Sequence, residues 1–503
     1  MVKCASVLIS NGKSLLPDII LDMEIDQDKS KKAVAPLQET SARLNIDRKW
    51  GVLIAVGAGT FMSALDISVV NTVLPIVNRT FNSDIATVEW VVIIYLLLVS
   101  GMLPGFGRLG DLRGHKPVYI GGFILFIASS LLCAISPTIL ALIGARAFQS
   151  IGASMLSANS PAILTKTFPA NQRGRALGLM ATMTYLGLIT GPSLGGWLAE
   201  YYGWRSVFYI NLPVGLIALL LSIWFIQKDA PEKITERFDW AGAVTFLGGL
   251  VSLLLALNRG HDWGWTSPAI LGLFACAIVL LGVFLWIESR VRAPMLDLSL
   301  FRIRSFSTSI SSAVLNYVCV YSIVFLMPFY LIQGRGLSPS QAGLLLTAQP
   351  IVMAIVAPIS GTLSDTIGAR IPGVTGMGIL ALGLFLLSRL NIASPPSMVA
   401  LSLAVCGLGI GTFISPNNSS LMGSAPRHRQ GIAAGMLATA RNVGMVLGVG
   451  LAGAIFTTVL THGEIGDPTV LYTAVQMSYS VIIFVALGGM LTSAIRGDDR
   501  NSI

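Results

Sequence analysis

Residues 107–116 read GRLGDLRGHK, and residues 361–370 read GTLSDTIGAR. Gly107, Asp111 and Gly114 of the first stretch return as Gly361, Asp365 and Gly368 of the second, 254 residues later. A longer pair lies downstream of each. Residues 178–196, GLMATMTYLGLITGPSLGG, align with 435–453, GMLATARNVGMVLGVGLAG, at an offset of 257. Gly178, Ala181, Thr182, Gly187, Gly191, Leu194 and Gly196 all recur. Glycine-rich apolar segments can match by chance, but two pairs in one order at nearly one offset are not expected to. The chain therefore reads as two halves of one design, placed head to tail.

The solvent of these halves is lipid. Of 503 residues, 54% are hydrophobic and 11% charged, with mean hydropathy +0.75. A soluble domain carries about a quarter charged residues. Fourteen apolar segments lie between residues 51 and 494, most long enough to cross about 30 Å of hydrocarbon. A backbone in lipid must bond to itself, so these segments are expected to be helices. Six helices do not need 254 residues. The surplus lies at 227–305, which holds the seventh and eighth segments and reads as a two-helix insertion. The expected organisation is a cytosolic disordered tail (1–48), a six-helix bundle (49–226), the insertion with cytosolic flanks (227–305), a second six-helix bundle (306–495) and a cytosolic tail (496–503).

Loop charge sets an expected orientation. With the N-terminus in the cytosol, the inner loops hold sixteen Lys and Arg, among them Arg108, Arg113, Lys116, Lys166, Arg173 and Arg175. The outer loops hold five: Arg79, Arg205, Arg259, Arg335 and Arg389. The basic excess favours both termini inside. The net charge of +9 is thus a topology signal, and no nucleic-acid-binding module accompanies it. Of five cysteines, Cys133, Cys276, Cys319 and Cys406 sit in apolar runs without CxxC spacing, so packing is expected rather than metal or disulfide chemistry. The four histidines fall in loops, which argues against a membrane-embedded enzyme.

Charges inside the apolar segments are the candidates for function. Asp66, in ALDISVVNTVLP (64–75), is the one acidic residue deep within a span; Glu89, Glu200 and Asp239 lie near span ends. A charge at such depth costs roughly 2.5–3.5 kcal/mol on insertion scales. Asp66 either faces a cavity and serves function or is paired to a neighbouring polar group. Arg146, in GARAFQSIGASM (144–155), is either a second functional charge or an arginine snorkelling to the interface. Gln149 lies one turn on, on the same face. Arg441 is a third charge, expected to bond backbone carbonyls. In the fifth segment, Gly187, Gly191 and Gly195 form one stripe suited to close helix approach, and Pro192 removes a backbone donor. In the loop at 107–117, Gly107 and Gly114 permit a tight turn, Asp111 is placed to accept bonds at a helix N-terminus, and Arg113 and Lys116 anchor it to the cytosolic side.

These motifs resemble those of the major facilitator superfamily, and in particular its fourteen-helix drug:proton antiporters of the EmrB/QacA type. The resemblance covers roughly residues 50–495. It implies an all-α membrane fold of two six-helix bundles plus two inserted helices. It puts a gating role on Gly107, Asp111, Arg113, Gly114 and Lys116, with His115 where an arginine is usual. It makes GPSLGG, with Gly187, Gly191, Pro192, Gly195 and Gly196, the antiporter motif of exporters. It assigns proton coupling or substrate contact to Asp66, Asn71, Trp90, Tyr95, Arg146 and Gln149. Ser68 stands where the family usually has threonine, and the hydroxyl is kept.

The resemblance implies export of small organic compounds, amphipathic or cationic, in exchange for protons by alternating access. The rival reading is a proton-coupled carrier of one metabolite, in either direction. Asp66 is expected to face the central cavity and to exchange a proton there. Protons are the only coupling species implied; no cofactor, metal or nucleotide site is expected, since no loop holds GxxxxGK[ST]. The expected partners are a small-molecule substrate and the bilayer of the plasma membrane. The chain is expected to work as a monomer, with accessory export proteins as a possible addition.

Overall fold

The structure is a computed structural model, and it describes residues 16–169, 172–228, 239–291, 298–425, 430–462 and 468–496. Among the described residues, fourteen helices are long and apolar enough to cross a membrane. We number them α1 (Arg48–Phe81), α2 (Ile85–Leu103), α3 (His115–Ile135), α4 (Ile139–Thr167), α5 (Arg175–Tyr202), α6 (Ser206–Phe225), α7 (Ala241–Gly260), α8 (Pro268–Glu288), α9 (Arg304–Gly334), α10 (Pro339–Ser364), α11 (Arg370–Leu387), α12 (Pro396–Ser424), α13 (Ala433–Thr461) and α14 (Thr469–Ala494). The start of α1 and the end of α14 fall on one side of the bundle, here the near side; the other is the far side. One difference from the sequence reading lies ahead of α1. The helix is drawn continuously over Leu16–Phe81, where a disordered tail was expected up to residue 48. The composition of that stretch, with Pro36 in its interior, does not account for the helix.

The internal repeat is visible as repeated packing. In the first half α1 packs on α5 and α6, α3 on α4 and α6, and α2 on α4. The same pairs recur eight helices later: α9 on α13 and α14, α11 on α12 and α14, and α10 on α12. The contact residues repeat too. Gly122 and Gly152 bring α3 and α4 together backbone to backbone; a Cβ on Gly152 would stand 2.8 Å from Gly122 O. At offsets of 254 and 257, Gly376 and Gly409 do the same for α11 and α12, at 2.7 Å. Gly187 of α5 rests on Phe61 O of α1, and its counterpart Gly444 rests on Val314 O of α9. Between helices in lipid the attraction comes from packing rather than from water, so small residues that admit close approach carry the association.

The two halves meet along two seams, α5–α10 and α2–α13, which are counterparts under the repeat. At the far side they are joined. Ser193 and Thr347 hydroxyls are 2.6 Å apart, Ser340 N donates to Glu200 Oε2 at 2.9 Å, and Gln333 Nε2 donates to Asn78 Oδ1 at 2.9 Å. At the near side Gly178 and Gly435, again counterparts, face open space. The inserted pair α7–α8 lies against the α2–α13 seam through α7, while α8 packs on α7, as in the Phe246–Phe284 ring contact at 5.1 Å.

Two prolines inside the spans leave carbonyls that neighbouring helices satisfy. Pro192 lacks the N–H that would bond Leu188 O, and Ser68 Oγ of α1 donates to that oxygen at 3.3 Å. Pro416 frees Thr412 O in the same way, and Ser360 Oγ of α10 takes it at 2.6 Å. The hydroxyl at position 68 is therefore needed by the proline four residues beyond its acceptor.

Two outcomes are expected from thermal unfolding of the purified chain. Gly187→Leu drives a side chain into Phe61 O and Leu65 N, 2.7 and 2.9 Å from a Cβ, and should cost about 1–3 kcal/mol, whereas Gly272→Leu, with nothing within 4 Å, should be neutral. Ser68→Ala leaves Leu188 O bare and should cost about 1–3 kcal/mol, while Ser68→Thr is tolerated. Equal effects of the paired variants would contradict this packing.

Candidate functional site

Five of the six spans of the first half converge on one polar cluster. α1 brings Asp66, α4 brings Arg146 and Gln149, α3 brings Ser130, α6 brings Asn211, and α2 brings Tyr95 and the carbonyl of Val91. The spacing of Arg146 and Gln149 sets both on the same face of α4. Arg146 Nη1 meets Asp66 Oδ2 at 2.6 Å, with the arginine side chain 1% exposed and the aspartate 0%. Asp66 Oδ1 accepts from Gln149 Nε2 at 3.0 Å and from Asn211 Nδ2 at 2.7 Å. Gln149 closes the circuit: its Oε1 accepts from Arg146 Nη1 at 2.6 Å, and its Nε2 also reaches Ser130 Oγ at 2.8 Å.

Arg146 is held from two more directions. Its Nε donates to Val91 O at 3.1 Å, and its guanidinium lies 4.1 Å from the Tyr95 ring centre. A guanidinium stays charged at any accessible pH. The carboxylate beside it satisfies Coulomb attraction and accepts three charge-assisted bonds. A buried pair of this kind is tolerated where further hydrogen bonds support it, as those from Gln149 and Asn211 to Asp66 and from Arg146 to Val91 O and Gln149 do here.

The sequence reading put Asp66 on the central cavity. The structure seats it instead inside the first half, behind α1, against Arg146. Of the two alternatives left open for each residue, pairing applies to Asp66, and snorkelling does not apply to Arg146. The other expected residues divide. Tyr95 and Gln149 join the cluster. Asn71 donates to Ile67 O one turn back at 2.7 Å, with its Oδ1 buried and unbonded, and it does not touch Asp66. Trp90 and Tyr95 lie about 140° apart around α2, five residues at 100° each. Trp90 therefore faces α7, where its Nε1 donates to Asn258 Oδ1 at 3.0 Å. Arg441 stands beside Tyr185 of α5 and Tyr317 of α9, between the halves, with a side-chain hydrogen bond to Tyr317 and its Nε unbonded.

The GRLGDLRGHK stretch is tied to its own half; it is helical on both sides of Gly114, so the turn expected at Gly107 and Gly114 is made at Gly114 alone, and Gly107 lies inside a helix. Gly114 has φ +90°, and its counterpart Gly368 has φ +82°, which a residue with a Cβ adopts only at a cost. His115 is buried and shares a hydrogen bond with Asn159 Oδ1 of α4 at 2.7 Å. Asp111 Oδ1 lies 3.4 Å from His115 Nε2. Lys116 Nζ donates to Ile223 O and Ile226 O, the last carbonyls of α6, at 2.8 and 2.6 Å. Gly107 lies near Ala158 of α4, and Arg113 is exposed. The Asp365 side chain of the second copy lies outside the described residues. In the antiporter stretch, Gly187, Gly191 and Gly195 pack on Phe61, Ser68 and Val69 of α1, while Pro192 and Gly196 face α10.

Sequence reading missed Ser130 and Asn211, and it left Glu89 at a span end where the structure buries it completely. A lone Ser or Asn inside an apolar run is a weak signal. Asn211 lies within WRSVFYINLP (204–213), where it interrupts an apolar stretch.

Comparison with known proteins agrees with this architecture. The profile of the Major Facilitator Superfamily matches residues 56–449 and, overlapping, 309–496. The chain is 36% identical over 417 residues to the riboflavin transporter RibZ of Clostridioides difficile, covering 83% of this chain and 90% of that one. It is 34% identical over 410 residues to the multidrug resistance protein Stp of Mycobacterium tuberculosis, covering 81% and 76%. It is 30% identical over 420 residues to the tetracenomycin C resistance and export protein of Streptomyces glaucescens, covering 84% and 77%. Among solved structures, a bacterial homologue of the human lysosomal transporter Spinster in an inward-facing conformation superposes with TM-score 0.64 at 15% identity, over 89% of this chain and 98% of that one. Fourteen spans, a duplicated six-helix design and these relatives make the chain a member of the Major Facilitator Superfamily, within the branch that holds drug-efflux transporters.

Proposed function

We propose that this transporter exports small organic compounds in exchange for protons, and that the Asp66–Arg146 pair carries the coupling. The ion pair supports the reading by a simple constraint. Protonating Asp66 would leave Arg146 as an uncompensated buried cation, a situation that costs about 3–5 kcal/mol. The cost falls if α1 moves and water reaches the arginine. Proton binding and movement of α1 are then one event, and α1 packs on both α5 and α9, so its movement is felt at the junction of the halves.

Alternating access follows from two bundles rocking about the region between them. With the near side in the cytosol of a cell whose plasma membrane holds the chain, the closed far side makes the present arrangement inward-facing. Substrate would be taken from the cytosol between the halves, where Arg441, Tyr185 and Tyr317 offer a cation and aromatic rings. That lining favours amphipathic aromatic cargo over dications. The chain works as a monomer in this reading, with accessory export proteins as optional partners.

Export is supported by the GPSLGG stretch and by relatives named for drug resistance and for tetracenomycin C export. A second reading, carriage of a metabolite, is favoured by the similarity to a riboflavin transporter. Membrane vesicles separate them, with tetracenomycin C and riboflavin as probes. Uncoupler-sensitive uptake of tetracenomycin C into inverted vesicles is expected. Uncoupler-sensitive entry of riboflavin into right-side-out vesicles, with no tetracenomycin flux, would reverse the assignment.

Two variants test the coupling pair. Asp66→Asn should leave residual flux that no longer responds to an uncoupler; a variant as uncoupler-sensitive as the parent rules Asp66 out. In denaturant unfolding, Arg146→Gln alone should cost about 3–5 kcal/mol, because it strands the buried carboxylate. Combining it with Asp66→Asn should recover much of that loss, and simple addition of the two effects would mean that the pair is not coupled.

A further inference from the structure

The two crossings that close the far side are counterparts under the repeat, yet they are built differently. At α5–α10 the contact is backbone on backbone. A Cβ on Gly196 would stand 2.1 Å from Pro339 O, and a Cβ on Gly343 would stand 2.1 Å from Pro192 O. The counterpart of Gly196 at offset 257 is Gly453 of α13. The counterpart of Gly343 at offset 254 is Glu89 of α2. The α2–α13 crossing thus places a carboxyl group where α5–α10 has a hydrogen atom. A Cβ on Gly453 would stand 2.0 Å from Glu89 Oε1 and 2.3 Å from Oε2, so the carboxyl lies flat on the α13 backbone.

Glu89 is 0% exposed, about 6 Å below the far end of α2. Its Oε2 accepts from Asn258 Nδ2 of α7 at 2.8 Å, and its Oε1 has no hydrogen-bond partner. Asn258 is itself occupied, donating to Ala86 O at 2.9 Å and accepting from Trp90 Nε1 at 3.0 Å. The charged groups around Glu89 are Asp84 at the start of α2 and Arg259 of α7. These two pair with each other at 3.3 Å, and Arg259 also donates to Thr87 Oγ1 at 3.1 Å. From α13 the facing group is the backbone of Gly453. A carboxylate in this setting has one neutral donor and is shut off from bulk solvent. Burying an ionised group so poorly matched is far costlier than burying the neutral acid.

We propose that Glu89 is a proton-binding site, occupied while the far side is closed, and that loss of its proton parts α2 from α13. The ionised group needs water, and water reaches it only when Gly453 withdraws. The proton leaves to, and returns from, the aqueous phase of the far side, converting carboxyl to carboxylate and back. Linkage sets the sign: the closed state binds the proton more tightly, so low pH favours closure and rising pH favours opening. The inserted hairpin supplies Asn258, the one donor to this carboxyl, which gives α7 a part in the switch. The inference is independent of cargo, of transport direction and of Asp66.

Infrared spectroscopy of the full chain in lipid nanodiscs reads the protonation directly. At neutral pH a C=O stretch of a protonated carboxyl is expected that Glu89→Gln lacks; spectra alike in both would overturn the proposal. Closure is read from Thr457→Cys, one turn beyond Gly453 on α13 and buried, with a water-soluble maleimide as probe. Labelling should rise several-fold from mildly acidic to alkaline pH, and adding Glu89→Gln should hold it low throughout. A Gln variant that opens with pH as its parent does sinks the assignment. Asn258→Ala removes the one donor and should move the opening to higher pH, while a move to lower pH would contradict it.

Discussion

In hydrocarbon a polypeptide has no solvent for its own amides, and this single condition shapes the whole transporter. Each span is a helix because its N–H and C=O groups have nowhere else to go. Two prolines within spans, Pro192 and Pro416, open gaps that another helix fills, as Ser68 does for Leu188 O and Ser360 for Thr412 O. With lipid as apolar as leucine, helices are held by contact rather than by the hydrophobic effect. The glycine crossings at Gly122–Gly152 and Gly376–Gly409 are the direct result, and they recur because the scaffold is duplicated.

Against that duplicated scaffold the polar chemistry is not duplicated. Asp66, Arg146 and Gln149 lie in the first half only; at the offset of 257, Leu403 and Cys406 stand where Arg146 and Gln149 would recur. The first half can therefore respond to a change of charge at Asp66, while the second has Leu403 and Cys406 where the partners of that charge would recur. The seams show the same division, with a carboxyl at Gly453 and backbone alone at Gly196. Symmetry supplies the two rocking bodies, and departures from symmetry give their motion something to respond to.

Much of this fold is legible in the sequence because lipid restricts the choices so strongly. Apolar length fixed the fourteen spans, and the two offsets fixed the halves and the surplus between them. The intramembrane charges were legible too, since Asp66 and Arg146 are conspicuous in apolar runs. What a linear reading lacks is helix rotation. Hydropathy does not say which way Asp66 points, so it was expected on the cavity and is found inside the bundle. Trp90 and Tyr95 read as a pair along the chain, yet helical geometry turns them to different neighbours. Glu89 looked peripheral by position, because its burial depends on α7 and α13, helices remote in sequence.

The placement of the inserted hairpin has one more consequence. α7 lies along the α2–α13 seam, whereas the α5–α10 seam has no such cover among the described residues. A molecule dissolved in the bilayer therefore meets two unlike flanks. On one side it encounters an added wall; on the other it encounters the joint between the two halves themselves. The extra helices make the transporter sided within the plane of the membrane.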